Sequence, residues 1–292
     1  MKNILANSYF SGAGLCDLGL SQSGVTIQQS FEIDAACCAT LRANFSHEII
    51  EGDLTSKLVK SDKDCDVMVA TYPCTKYSTI ADIHGTRSGD ELFLHFFRHI
   101  AIKRPECYVV ENVPGMRKFP VVMEAMTQLP DYYVNVICPM ESALWLPQKR
   151  SRLIIIGSRK PFVWRTPQSS RRVKLSEILE EDPRPDIPDY VAKRMAGAYR
   201  DRPIVSDPSR DDVAPTCVAH YAKDLSTRLV KDSRFANGVR PYTVREWARL
   251  QGVPDGFSFQ GGDRAAYKQI GNGVSVPVAH WIGDELKRYF HS

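Results

Sequence analysis

Eight cysteines are scattered through the 292 residues, at 16, 37, 38, 65, 74, 107, 138 and 217, and no two of them form a Cys-x-x-Cys pair. None stands with histidine at zinc-binding spacing, so the sequence suggests neither a structural zinc site nor a thioredoxin-like redox pair. Long apolar runs are also missing. Blocks such as Val67 to Ala70 and Leu153 to Ile156 have the length of a strand, far short of a membrane helix. The opening stretch MKNILANSYFSGAGL carries one lysine but no clean apolar block with a cleavage site, so no signal peptide is expected. No internal repeat or low-complexity tract is found. With 43% hydrophobic and 25% charged residues, the chain has the makeup of a soluble globular protein with room for one large domain or two modest ones. A cytoplasmic location follows, and most of the cysteines, including Cys37, Cys38, Cys107 and Cys138, read as small buried hydrophobes.

A strong charge of either sign is missing too, since the net charge is only +4. That excess sits in residues 160–240, where 16 basic side chains face 12 acidic ones. A solvated surface gives such a pattern, and so does a surface facing a polyanion.

What the chain does contain is a regular alternation. Strand-like ILANSYF (4–10) leads through the turn SGAGL into a helix ending near Gln22. TIQQSFEI is followed by the helix DAACCATLRANF, with Asp34 as its N-cap. CDVMVATYP, ECYVVENV, YYVNVICP and RLIIIGS read as further strands, and DELFLHFFRHIAIK and FPVVMEAMTQL as further helices. Such alternation predicts an α/β fold, a mostly parallel sheet with helices on both faces. Beyond Lys160 the pattern dissolves into a proline-rich, charged stretch, and helical signals return with TVREWARLQG and RAAYKQIGNGVSVPVAHWIGDELKRYF.

The chemistry gathers at strand ends, the edge where open α/β sheets bind ligands. The turn FSGAGLCDLG lets the backbone approach a ligand closely, but its Gly12-x-Gly14 spacing lacks the third glycine of a dinucleotide fingerprint. Glu32 closes the second strand, where an acid would meet a ribose, and Asp53 follows the third strand; each also reads as a cap or loop residue. Cys74 follows Pro73 at the end of a buried strand, a setting unlike that of a packing cysteine. Glu111 and Asn112 end the next one. Arg150 and Arg152 alternate into the strand RLIIIGS, which would turn both to one side. A thiol, a carboxylate and two guanidiniums on one edge form a nucleophilic site.

In this order, FSGAG, FEID, GDL, YPCTKYS, RSGDELFLHFFR, ENVPGM, SALWLPQKRSRLIIIG, PYTVREWARLQGVPD and YKQIGNGVSVPVA resemble the DNA cytosine-5 methyltransferase family. The likeness runs from Ala6 to about Gly157 and resumes from about Pro215 to Ile282. It implies a Rossmann-like class I methyltransferase sheet with an inserted small irregular domain, S-adenosylmethionine as cofactor and duplex DNA as partner. No metal and no membrane partner are expected from the residues, and the chain is expected to be a monomer. Cys74 would be the nucleophile, Glu111 would hold ring nitrogen 3, Arg152 would contact the base carbonyl and Arg150 would help order the cysteine loop. The cofactor would meet Phe10, Gly12, Gly14, Glu32, Ile33, Asp53, Pro73, Leu92, Asn272 and Val274. Because the C-terminal segment returns to the first domain, the expected division is 1–160 plus 262–292 for catalysis and 161–261 for target recognition. Within that module Trp247 and Leu250 read as core. Arg171, Arg172, Arg228 and Arg234 are the candidates for reading DNA.

The family usually has glutamine where this chain has Thr75. A tRNA methyltransferase of the same fold and a catalytically impaired DNA-binding homologue are the alternative readings.

Overall fold

The computed structural model describes residues 3–73, 92–169, 171–185, 187–198, 200–235 and 237–292. These fall into two compact units: residues 1–140, 151–167 and 276–292 form the first, and 141–150 with 168–275 the second.

The first unit is built on a seven-stranded sheet. Its strands are β1 (Leu5–Tyr9), β2 (Thr26–Glu32), β3 (Glu48–Glu51), β4 (Val67–Ala70), β5 (Cys107–Asn112), β6 (Tyr133–Glu141) and β8 (Ser151–Ser158), in the order β3-β2-β1-β4-β5-β8-β6. The pairs among β1 to β5 are parallel, and β8 runs antiparallel to β5 with Glu111 opposite Ile154. The expected mostly parallel sheet is present. Every residue of β4 and β5 is buried, which is why these strands read as continuous apolar runs without alternation.

Helices α1 (Leu15–Gln22), α2 (Ala35–Asn44), α3 (Leu92–Lys103), α4 (Pro120–Thr127) and, from the far end of the chain, α9 (Val276–Phe290) belong to this unit. The carboxylate of Asp34 accepts the amides of Ala36 and Cys37 at 3.0 and 3.2 Å, the N-cap read from the sequence. Helix α3 turns Phe93, Phe96 and Ile100 into the core on one face. Each such side chain contributes about 1.5–3 kcal/mol by leaving water. His99 is buried among them.

The second unit holds a small sheet of β9 (Ile204–Ser206), β11 (Arg228–Lys231) and β12 (Val239–Pro241), and a pairing of β7 (Gln148–Lys149) with β10 (Ala214–Pro215). Helices α5 (Leu175–Ile178), α6 (Asp189–Ala196), α7 (Val244–Arg249) and α8 (Gly262–Asn272) complete it. Thr243 and Glu246 form a reciprocal capping box at the start of α7, and Arg240 clasps both oxygens of Glu246 at 2.7 Å. Trp247 and Leu250 are fully buried, as expected, with Trp247 stacked on Tyr221 at 4.2 Å.

The unit boundary lies at 275/276, whereas the sequence reading put it at 261/262. The difference is α8. Its Tyr267 packs edge-on against Tyr221 and Trp247, and Gly271 lies so close to the backbone of Val218 and Ala219 that a Cβ would come within 2.3–2.6 Å of it. Residues 141–150 join the same unit through the β7–β10 pairing.

Candidate active site

The carboxyl ends of β1, β2 and β3 are stitched together through Glu32. Its Oε2 accepts the amide of Gly12 at 2.7 Å, and its Oε1 accepts the amides of Ile33 and Asp34 at 2.9 Å. Its carbonyl accepts the amide of Gly52 at 2.9 Å. The turn between β1 and α1 is left-handed at Phe10, Gly12 and Gly14, with φ of 57°, 55° and 80°. A Cβ at Gly12 would meet nothing within 4 Å, so the backbone there borders open space, whereas one at Gly14 would strike Leu41 and Phe45. Ile33 stands 64% exposed beside Glu32. Asp53 is exposed and accepts the amide of Thr55 at 2.8 Å, a bond that holds its carboxyl below the usual carboxylate range. Leu92, the first residue of α3, packs on the core.

A few residues along the same sheet edge lies a second group. Glu111 is buried near the end of β5, and its Oε1 sits 2.8 Å from Nε of Arg152 on β8. Asn112 donates from Nδ2 to the carbonyl of Tyr72 at 3.2 Å. Thr71 donates from its hydroxyl to the carbonyl of Phe10 at 2.8 Å, and the ring of Tyr72 lies edge-on to that of Phe10. The stretch ending at the exposed Pro73 is therefore fastened to the β1 turn and to the end of β5. Cys74, Thr75 and the rest of PCTKYS lie outside the described residues.

Arg150 has other partners than Arg152. Its fully buried guanidinium donates to the carbonyls of Cys217, Gly271 and Gly273 at 3.0, 3.2 and 2.6 Å. Residue 150 falls between β7 and β8, so the strand alternation expected to turn both arginines to one side is broken there. In the second unit Arg150 braces the segment bearing Asn272, exposed at the end of α8, and the buried Val274.

Three of the arginine candidates for DNA reading bind carboxylates: Arg171 to Glu177 and Arg172 to Asp211 at 2.5 Å, and Arg234 to Asp232 at 2.7 Å. Arg228 instead donates to the hydroxyl of Thr227 at 3.2 Å, and burial lowers its pKa.

Four of the other thiols are poor nucleophiles. Burial pushes Cys38 up to about 11 and Cys65 up to about 12, and holds Cys16 and Cys107 well above the ordinary thiol range. Among the described residues no cluster of His, Cys, Asp and Glu is arranged to hold a metal ion, and no helix is long and apolar enough to cross a membrane.

The residues of the glycine turn fit a cofactor built from an amino acid, a ribose and an adenine. The turn at Gly12 leaves open space, Glu32 offers carboxylate acceptors, Ile33 presents apolar surface and Asp53 is an ionised acceptor. The sequence reading left the ties of two residues unseen. Asn112 was noticed without its tie to Tyr72, and Asp62, which binds Tyr9 and His99, gives no local signal because its partners lie 53 and 37 residues away.

Comparison with known proteins agrees. The type II methyltransferase M1.ScrFI of Lactococcus lactis subsp. cremoris is 31% identical over 306 residues, covering 95% of this chain and 76% of the relative. The type II methyltransferase M.NlaX of Neisseria lactamica is 29% identical, covering 95% of this chain and 94% of the relative. A solved methyltransferase of Entamoeba histolytica superposes with a TM-score of 0.85 at 19% identity, over 99% of each chain, and Dnmt2 of S. pombe with 0.81 at 16%, over 100% of each. The profile of the C-5 cytosine-specific DNA methylase family matches residues 6–201 and 222–288. The chain belongs to that family, and is thus an S-adenosylmethionine-dependent cytosine-5 methyltransferase acting on DNA.

Proposed function

We propose that the protein is a modification enzyme of restriction–modification type that methylates a cytosine swung out of duplex DNA, through a transient bond to Cys74. S-adenosylmethionine, when bound, supplies an electrophilic methyl group; Phe10, Gly12, Gly14, Glu32, Ile33, Asp53, Pro73, Leu92, Asn272 and Val274 are the residues that would hold it. Carbon 5 of cytosine is too electron-poor to accept that group unaided. The Cys74 thiolate adds to carbon 6, and the electron pair of the 5,6 double bond becomes available at carbon 5. Glu111 holds a proton on ring nitrogen 3, so the ring carries the added pair as a neutral enamine. Arg152 keeps Glu111 oriented and lies ready for the ring carbonyl. Once carbon 5 is methylated, water takes its original proton, the pair of that carbon–hydrogen bond restores the 5,6 double bond, and the sulfur–carbon 6 pair returns to the Cys74 thiolate. Arg150, through the carbonyls it binds, acts on the second unit's frame. A base inside a duplex is out of reach of any such thiol, and extruding it costs about a few kcal/mol.

The observation that carries this reading is the 2.8 Å Glu111–Arg152 pair at the end of β5, beside the strand that leads into Pro73-Cys74. Transfer of tritiated methyl from S-adenosylmethionine to duplex DNA and to tRNA tests it, with trapping on DNA containing 5-fluorocytosine as a second readout. Label on DNA, with a covalent adduct that Cys74→Ser abolishes, is expected. Label confined to tRNA overturns the substrate, and turnover by Cys74→Ser overturns the mechanism.

A further inference from the structure

Behind the glycine turn lies a buried polar hub that the catalytic reading leaves unused. Asp62 has a side chain with no solvent exposure. Its Oδ2 accepts the hydroxyl of Tyr9 at 2.9 Å and Nδ1 of the fully buried His99 at 2.6 Å. Its Oδ1 is paired with Nζ of Lys57 at 2.9 Å, and its carbonyl accepts Nζ of Lys103 at 2.6 Å. Lys57 also sits over the ring of Phe31 at 5.1 Å, and Phe31 stacks on Tyr9 at 4.7 Å. Arg98 donates to the carbonyls of Leu54 and Lys57 at 3.1 and 2.9 Å.

The members of this network are chain neighbours of the donor-site residues. Tyr9 precedes Phe10, Phe31 precedes Glu32, Leu54 follows Asp53, and Arg98, His99 and Lys103 stand on the helix that begins at Leu92. Burying a carboxylate is costly unless donors converge on it, and here they come from β1, the 54–62 segment and α3. A small domain has cheaper ways to fill a core. A hub joining the segments that must present a ligand's contacts is what preorganisation requires.

We propose that Asp62 is a positioning residue for the methyl donor, with its carboxylate locking the segments of Phe10, Glu32, Asp53 and Leu92 into one frame. The proposal rests on reading those four residues as donor contacts. Asp62 touches neither the donor nor the base; it acts through Tyr9, Lys57 and His99. Deleting a charge-assisted bond from the hub lets the 54–62 segment and α3 shift independently, and donor affinity falls while the sheet stays intact.

The test is the dissociation constant of S-adenosylmethionine by calorimetry, on full-length variants whose urea midpoints confirm folding. Asp62→Asn and His99→Leu are expected to weaken binding about tenfold, the scale of one lost buried hydrogen bond. His99→Asn, which keeps a donor near the position of Nδ1, should stay within about threefold of the parent, as should Val109→Ala, a core truncation in the same sheet. Wild-type affinity in both Asp62→Asn and His99→Leu overturns the proposal. Equal weakening in Val109→Ala also overturns it, because the hub is then only a stability element. Glu32→Ala separates the two levels: if it binds the donor like the parent, the pocket assignment itself fails.

Discussion

The side-chain amide of Asn112 is hydrogen-bonded to the carbonyl of Tyr72 at 3.2 Å, which ties the end of β5 to the backbone two residues before Cys74. The same side chain accepts the amide of Val113 at 2.8 Å, so one buried residue shapes both the β5 exit and the approach to the thiol.

Asn112→Ala removes both bonds. Stability should fall by about 1–2 kcal/mol in urea denaturation, and methyl transfer by about tenfold as the thiol's approach loosens. Asn112→Asp keeps an acceptor for Val113 but not the donor to Tyr72, so its turnover should remain low. Full activity in both variants would show that Cys74 is positioned without this tie.

Glu111→Gln tests the proton held at nitrogen 3. The amide preserves shape and loses the acid, so kcat should drop about 10²- to 10⁴-fold. Donor affinity should hold, since Glu111 is not among the residues assigned to the donor. Single-turnover kinetics with labelled donor measure the first, and calorimetry the second.

Thiol chemistry distinguishes Cys74 from its neighbours. Cys16, Cys38, Cys65 and Cys107 are kept protonated by burial and should react with Ellman's reagent at pH 8 only after unfolding. The native protein should show a fast phase that Cys74→Ser removes. Persistence of that phase in the variant would assign the reactive thiol elsewhere.

Asp17 predicts a pH effect of its own. It is fully buried in α1 beneath the glycine turn, and burial raises its pKa to about 6, despite hydrogen bonds from Ser8 and Ser30 that work in the opposite direction. The folded state therefore holds a proton that the unfolded chain gives up near the ordinary carboxylate value. The stability this provides is complete below about pH 4 and is lost as pH rises through about 6. Asp17→Asn should remove that slope and gain on the order of 2 kcal/mol at pH 8, read from urea midpoints across pH. An unchanged slope would refute the assignment.

Much of the first unit was legible because its signals are local. The strand runs of β1, β2, β4 and β5, the Asp34 cap and the apolar face of α3 each lie within one stretch of chain. Glu32 and Asp53 were singled out by their position at strand ends. The partners of Arg150 were not legible because strand alternation assumes an unbroken strand, and the break at residue 150 goes with a pairing of residues 148–149 to 214–215 far along the chain. The boundary between the compact units lies elsewhere than the sequence put it for the same reason, since Tyr267 chooses its unit by stacking against Tyr221 and Trp247. Nothing in the sequence around Asp62 marks it out. Only the fold brings Tyr9 and His99 to it.

Helix α1 packs against α9 at Gly19, where a Cβ would lie 2.4 Å from the carbonyl of Val276 and 2.5 Å from Cβ of Ala279. The first helix after the glycine turn thus has its packing partner on the far side of the entire second unit in the chain. On the ribosome, α1 must wait, with that face uncovered, until some 250 further residues have been made. The last helix to be made is thus the one that closes over the first.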